Sequence, residues 1–122
     1  MDKHQASYHG VFHSTPAEQQ EDYIRPQENG SHFGCARVTI TDGAGAVTVT
    51  SPEDFSFNLS HYTQEEMTEK MHNYELTESL DNVFCFDCKM SGVGSNSCGP
   101  RLAKAMQFDD ETFTFKFDLT VE

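Results

Sequence analysis

The run Cys85-Phe86-Asp87-Cys88 has the spacing of a zinc half-site, in which two thiolates three residues apart close on one metal. Its neighbours oppose that use. Phe84 and Phe86 favour extended backbone, and along a strand successive side chains alternate faces, so the two thiols point to opposite sides. No second CxxC exists to complete a site. The four cysteines, Cys35, Cys85, Cys88 and Cys98, have the even count of two disulfides, yet the polar start Met1-Asp2-Lys3-His4-Gln5 lacks the apolar segment of a secretion signal. They are read as free thiols in a cytoplasmic protein, those of the CxxC buried. Of the six histidines only His9 and His13 have i,i+4 spacing, and Gly10 and Val11 between them oppose the helix that spacing needs. Carboxylates are plentiful, but they fall in turns such as Asp109-Asp110-Glu111 or on outward strand positions such as Asp118. A carboxyl pair working as acid and base instead needs a pocket that shifts one of the two. No active site is expected wholly within this chain.

Two segments hold polar groups outside any periodic element. Tyr23-Ile24-Arg25-Pro26-Gln27-Glu28-Asn29-Gly30 combines aromatic, basic, amide and acidic side chains. Ser91-Gly92-Val93-Gly94-Ser95-Asn96-Ser97-Cys98-Gly99-Pro100 is too rich in small and turn-forming residues to be core. It reads as a loop between two strands, either a plain connection or a ligand-contacting loop carried on a rigid frame.

The frame must come from a chain of 122 residues, one domain's worth, with 36% hydrophobic residues and hence a single thin core. Ten phenylalanines and no tryptophan make phenyl rings its main filling. A formal net charge of -12 excludes a nucleic-acid partner and disfavours anionic membranes. No apolar run is long enough to span a bilayer.

Alternation then marks the strands. Val38 and Ile40 alternate with Arg37, Thr39 and Thr41; Asp42-Gly43-Ala44-Gly45 reads as a hairpin turn; Val47 and Val49 return between Thr48 and Thr50. Pro52 is expected to end that strand, and Phe55, Phe57 and Leu59 to form another with Ser56, Asn58 and Ser60 outward. Thr63-Gln64-Glu65-Glu66 predicts a reciprocal capping box opening a short helix whose buried stripe is Met67 and Met71. Strand character resumes over 82–90 and is most regular from Phe113 to Val121. The pattern predicts an all-β antiparallel sandwich of about six strands with one short helix. It divides into an irregular N-terminal segment over 1–34, packing on a β-sandwich portion over 35–122.

The same two segments carry a likeness. Arg25-Pro26-Gln27-Glu28-Asn29-Gly30 resembles the Pro-x-Glu-Asn-Gly motif near the C-terminus of large bacterial β-galactosidases of glycoside hydrolase family 2. The phenylalanine-rich strand and helix entry Phe55-Ser56-Phe57-Asn58-Leu59-Ser60-His61-Tyr62-Thr63 is similar to that family's, and Ser91–Pro100 resembles its Gly-x-Gly loop before the last strands. The three blocks occur in family order, and the likeness runs from about Asp2 to the end.

The resemblance implies part of the family's last domain, an antiparallel supersandwich of the galactose-mutarotase type. It implies a parent enzyme hydrolysing terminal β-D-galactosides such as lactose. The family's catalytic glutamates lie on a (β/α)₈ barrel encoded upstream, and no residue here matches them, so this chain alone should be inactive. The family's Mg²⁺ and Na⁺ sites belong mainly to the barrel, so no cofactor is expected here. The loop after the Gly-x-Gly turn reaches the substrate cleft in the family, where the best-known members stack a Trp on the sugar. Cys98 matches that position, with Asn96 and Ser97 beside it as further substrate contacts. A thiol offers no stacking face, which makes the contact smaller and softer. The implied partners are the remaining domains of the parent, a galactoside substrate and further copies in a homo-oligomer. A stand-alone carbohydrate-binding module is the competing reading, but such modules present aromatic platforms and this chain has no Trp. A structural module that assembles through unpaired sheet edges is a third. With only part of a sandwich present, the chain is expected to self-associate or to have limited stability.

Overall fold

A computed structural model describes residues 9–22, 24, 30–89, 91 and 100–122 of the chain. Among them, one antiparallel sheet dominates. Its strands are β1 (His32–Thr41), β2 (Ala46–Ser60), β3 (Val83–Asp87) and β4 (Asp118–Val121), accompanied by short helices α1 (Pro16–Gln19) and α2 (Gln64–Glu69). β2 is the spine. β1 pairs along one side of it, while β3 and β4 pair with it in succession along the other.

The β1–β2 hairpin follows the alternation. Val38 lies opposite Val49 and Ile40 opposite Val47, and Thr39 and Thr48 meet on the other face with hydroxyls 3.0 Å apart. In the turn, Asp42 Oδ1 accepts from the amides of Ala44 (2.8 Å) and Gly45 (3.0 Å), and Gly43 sits at φ +87°. This is the local Asx geometry that makes Asp-Gly a turn.

Pro52 does not end the strand. Residues 46–60 form one element, because the proline is held in an excursion: Arg37 pairs with Thr50 and Cys35 with Phe55, leaving 51–54 of β2 facing Ala36 alone. A bulge is where a strand tolerates a residue without an amide donor. The Ser51 hydroxyl stabilises it, accepting from Glu53 N at 3.2 Å and donating to the Lys116 carbonyl at 3.0 Å.

The same excursion explains the last segment. The strand expected over 113–121 pairs only over Asp118–Val121, against 47–50 of β2. Residues 113–117 pass the bulged stretch, where β2 offers no regular ladder. They are held through Ser51 and by rings: Phe86 lies 4.7 Å from Phe117 and 6.1 Å from Phe115. Six strands were expected and four are seen among the described residues.

Ser56, Asn58 and Ser60, expected outward, are buried. α1 packs on β2, and the N-terminal segment comes against Asn58 at Gly30. Gly30 makes that approach possible: it has φ +65°, and a Cβ there would lie 2.9 Å from the Gln19 carbonyl and 3.4 Å from Asn58 Nδ2. Only glycine meets both demands without strain. Buried hydrophobic side chains are few among the described residues: Ile24, Val49 and Phe55.

α2 also departs from expectation. Thr63 Oγ1 accepts from Glu66 N at 3.1 Å, as a cap should. Glu66 does not reach back; its Oε1 accepts from Thr77 N at 2.8 Å and ties the following loop to the helix. The helix ends at Glu69, so Met71 falls outside it and is exposed, and no Met67–Met71 stripe forms. The turn at α1 does contain a reciprocal box: Thr15 N donates to Glu18 Oε2 at 2.9 Å and Glu18 N to Thr15 Oγ1 at 3.4 Å.

Candidate functional site

Asn96, Ser97 and Cys98 lie outside the described residues, as do 25–29 of the other motif. What the structure places is the frame around both segments. The loop leaves β3, and Ser91 Oγ, at its start, accepts from Phe108 N at 2.7 Å, tying the loop to the chain that follows it. The Phe108 ring packs edge-on against Phe113 at 5.0 Å, and Lys89 Nζ lies 6.0 Å from its centroid. A one-turn 3₁₀ helix over Lys104–Met106 shapes the return, with Lys104 Nζ 2.9 Å from Asp109 Oδ2. The start of the loop is therefore tied to the segment that leads toward β4. Of this, Ser91 alone was singled out from the sequence; Phe108, the residue that holds it, carries no motif.

The other segment is anchored at both its described points. Ile24 is buried, and Gly30 seats against Gln19 and Asn58. Just beyond, His32 stacks on Phe57 with centroids 4.7 Å apart. Burial lowers its pKa, and its Nε2 finds no hydrogen-bond partner among the described residues.

Three described carboxyls are held below the ordinary range. Glu18 is lowered chiefly by the Thr15 amide, Asp42 by those of Ala44 and Gly45, and Glu75 by those of Met71 and His72. Each is an exposed turn or cap acceptor. A glycosidase acid needs the opposite shift, produced by an apolar pocket. A shallow groove of about 370 Å³ between 51–53 and 114–116 has Glu53 as its single acid.

Cys85 lies on β3 opposite Asn58 and receives a long contact from Gln64 Nε2 at 3.7 Å, while Cys88 follows the end of the strand. Cys35, Cys85 and Cys88 are half-buried free thiols, and burial, followed by the nearby Asp54 charge, raises the pKa of Cys35. His9 and His13 precede α1 and stand on no helix. Among the described residues no three His, Cys, Asp or Glu side chains come together as a metal site. No described helix is long and apolar enough to cross a membrane.

The comparison with known proteins bears on the whole frame. The family model described as "Beta galactosidase small chain" matches residues 1–119. The chain belongs to this family. It is 48% identical to a β-galactosidase of Actinobacillus pleuropneumoniae and 41% identical to one of Staphylococcus xylosus, each over 98% of its length. A β-galactosidase of Kluyveromyces lactis is 29% identical over 99% of the chain. The chain spans only 11% to 12% of the length of these relatives. It is thus a β-galactosidase small-chain domain, all-β, and the motifs read from the sequence fall inside the matched stretch.

Proposed function

We propose that this domain works as part of a β-galactosidase that hydrolyses terminal β-D-galactosides of the lactose type, and that its Ser91–Pro100 loop completes a wall of the substrate cleft. The observation that carries the reading is the 48% identity over 98% of the chain to a protein of which the chain is only 11%. The catalytic acid and nucleophile, with the Mg²⁺ and Na⁺, then reside in other domains, and the parent enzyme assembles as a homo-oligomer. The compartment is the cytoplasm. In this role Cys98 meets the sugar, with Asn96 and Ser97 beside it, and the isolated chain has no turnover. The pinned base at Ser91 and Phe108 supports the loop's part, because a positioned contact needs a rigid origin.

Two assays test this. The purified chain should not hydrolyse a chromogenic galactoside, and turnover by the chain alone would refute the division of labour. In an assembled enzyme carrying this domain, Cys98→Trp should change KM for galactosides at least threefold with little change in kcat. An unchanged KM would remove the loop from the cleft.

A further inference from the structure

We propose that Ser91 and Gln107 are positioning residues for substrate binding: they close the neck of the Ser91–Pro100 loop, one at each end. The inference rests on the cleft role proposed above and assigns its support to named side chains.

Two consecutive residues hold both ends. Phe108 N donates to Ser91 Oγ at the entry, 2.7 Å away and across 17 positions of sequence. Gln107 Nε2 donates to the carbonyl of Leu102, where the chain returns just beyond Pro100. Entry and return are therefore gathered at the Gln107–Phe108 pair. The entry is gripped twice, because Lys89 Nζ also lies 6.0 Å from the Phe108 ring centroid.

The gathering point is itself stiff. Between Leu102 and Gln107 runs the 3₁₀ turn Lys104–Met106. Within it Met106 N donates to the Ala103 carbonyl at 2.8 Å and Gln107 N to that of Lys104 at 3.1 Å. On the other side the Phe108 ring packs on Phe113 at 5.0 Å. Leu102, Gln107 and Phe108 are half-buried in a stretch, 100–114, that is otherwise exposed, and Ser91 is half-buried as well. Both clasping hydrogen bonds are thus partly shielded from water, which strengthens them. The exposed Lys104–Asp109 pair adds little by comparison.

A loop that contacts substrate binds best when its ends are already fixed, because ordering it on binding subtracts from affinity. The clasp touches no reacting group, so its loss weakens binding without altering the chemical step. The two ends are not equal. Removing the Ser91 hydroxyl frees the entry back toward Asp87 at the end of β3, whereas removing the Gln107 amide leaves the 3₁₀ turn to limit the return.

The test combines steady-state kinetics of the assembled enzyme carrying this domain, on a chromogenic galactoside, with amide exchange in the full 122-residue chain. Ser91→Ala should raise KM about three- to tenfold and Gln107→Met, similar in length but without a donor, about two- to threefold, with kcat held within about twofold. Gln107→Glu sets a carboxylate against the Leu102 carbonyl and should exceed Gln107→Met. Ser91→Thr keeps an acceptor hydroxyl and should restore the parent KM. Glu66→Ala, which releases the Thr77 amide elsewhere on the domain, should leave KM unchanged and so separates the clasp from general loosening. In the chain alone, Ser91→Ala should speed exchange at the Phe108 amide, and unchanged exchange there would overturn the clasp. If Ser91→Ala does not fold, the two Gln107 variants decide, and a parent-like KM in both would overturn it. Faster exchange with an unchanged KM, in an enzyme whose KM does respond to Cys98→Trp, would overturn the positioning role and leave the proposed function standing. A KM indifferent to Cys98→Trp as well would overturn both. A fall in kcat equal to that in kcat/KM would put the clasp's effect in the chemical step and refute the assignment.

Discussion

Replacing Gly30 with alanine separates two costs that usually arrive together. At Gly30 the backbone is left-handed, with φ +65°, and a Cβ would sit 2.9 Å from the Gln19 carbonyl oxygen. Gly34 has the same backbone, φ +66°, with nothing within 4 Å of its Cβ position. Gly45 has no positive φ, but its Cβ would lie 2.9 Å from the Glu122 carbonyl. The left-handed conformation costs an L-residue roughly 1–2 kcal/mol. Stiffening the unfolded chain returns about 0.4–1 kcal/mol. Gly34→Ala should therefore destabilise by about 1 kcal/mol. Forcing a methyl against a packed backbone adds roughly 1–3 kcal/mol, which brings Gly30→Ala to about 2–4 kcal/mol. Gly45→Ala should fall below it, because it carries the overpacking cost without the left-handed one. With a urea slope of about 1–3 kcal/mol per molar, the midpoint of Gly30→Ala should drop by about 1–2 M. Urea titrations of the three variants, followed by far-ultraviolet circular dichroism, give the ranking. If Gly30→Ala proves no worse than Gly34→Ala, the N-terminal segment does not sit on Asn58 as described, and the account of the buried polar face fails with it.

Two further predictions concern single side chains. Burial lowers the pKa of His32 from its ordinary 6.5, so below that value the unfolded chain takes up a proton that the folded one resists. Stability should be full above pH 6.5 and fall as the pH drops toward the lowered folded value; His32→Phe, which keeps a ring against Phe57, should flatten that slope in urea titrations at pH 5 to 7.5. The Glu66 carboxylate accepts from Thr77 N, so Glu66→Ala should speed hydrogen exchange at the Thr77 amide while leaving Thr63 N unchanged. Faster exchange at Thr63 instead would restore the reciprocal capping box.

Much of the fold could be read wherever one local rule governed. The β1–β2 hairpin, with Asp42-Gly43 at its turn, needs only alternation and an Asx turn, and it is as expected. The box at Thr15 and Glu18, with Pro16 at the first helical position, is equally local and was available as Thr-Pro-Ala-Glu before Gln19. What alternation could not show was which face receives a cover. Ser56, Asn58 and Ser60 have the composition of a solvated face, yet all three are buried, and at Asn58 the N-terminal segment returns onto β2. Pro52 misled for a related reason. It forbids a ladder hydrogen bond at one residue, and the chain answers with an excursion opposite Ala36 rather than by ending the strand. The regular pattern from Phe113 was half right: it names the residues that share a face, but pairing also needs a regular partner, and 51–54 do not provide one. As for the candidate site, composition located its loop, while the hydrogen bond from Phe108 that fixes the loop base joins residues 17 apart.

That base is continuous with the rings that pack against β3. Phe108, which donates its amide to Ser91, packs on Phe113, and the chain then runs directly through Phe115 and Phe117 into β4. Phe115 and Phe117 in turn lean on each other at 5.7 Å and on Phe86 of β3, the strand from which the loop departs. The strand entering the Ser91–Pro100 loop and the chain that follows the loop thus meet in the rings of Phe86, Phe115 and Phe117. Holding both ends in advance lowers the entropic cost of presenting a loop to a substrate.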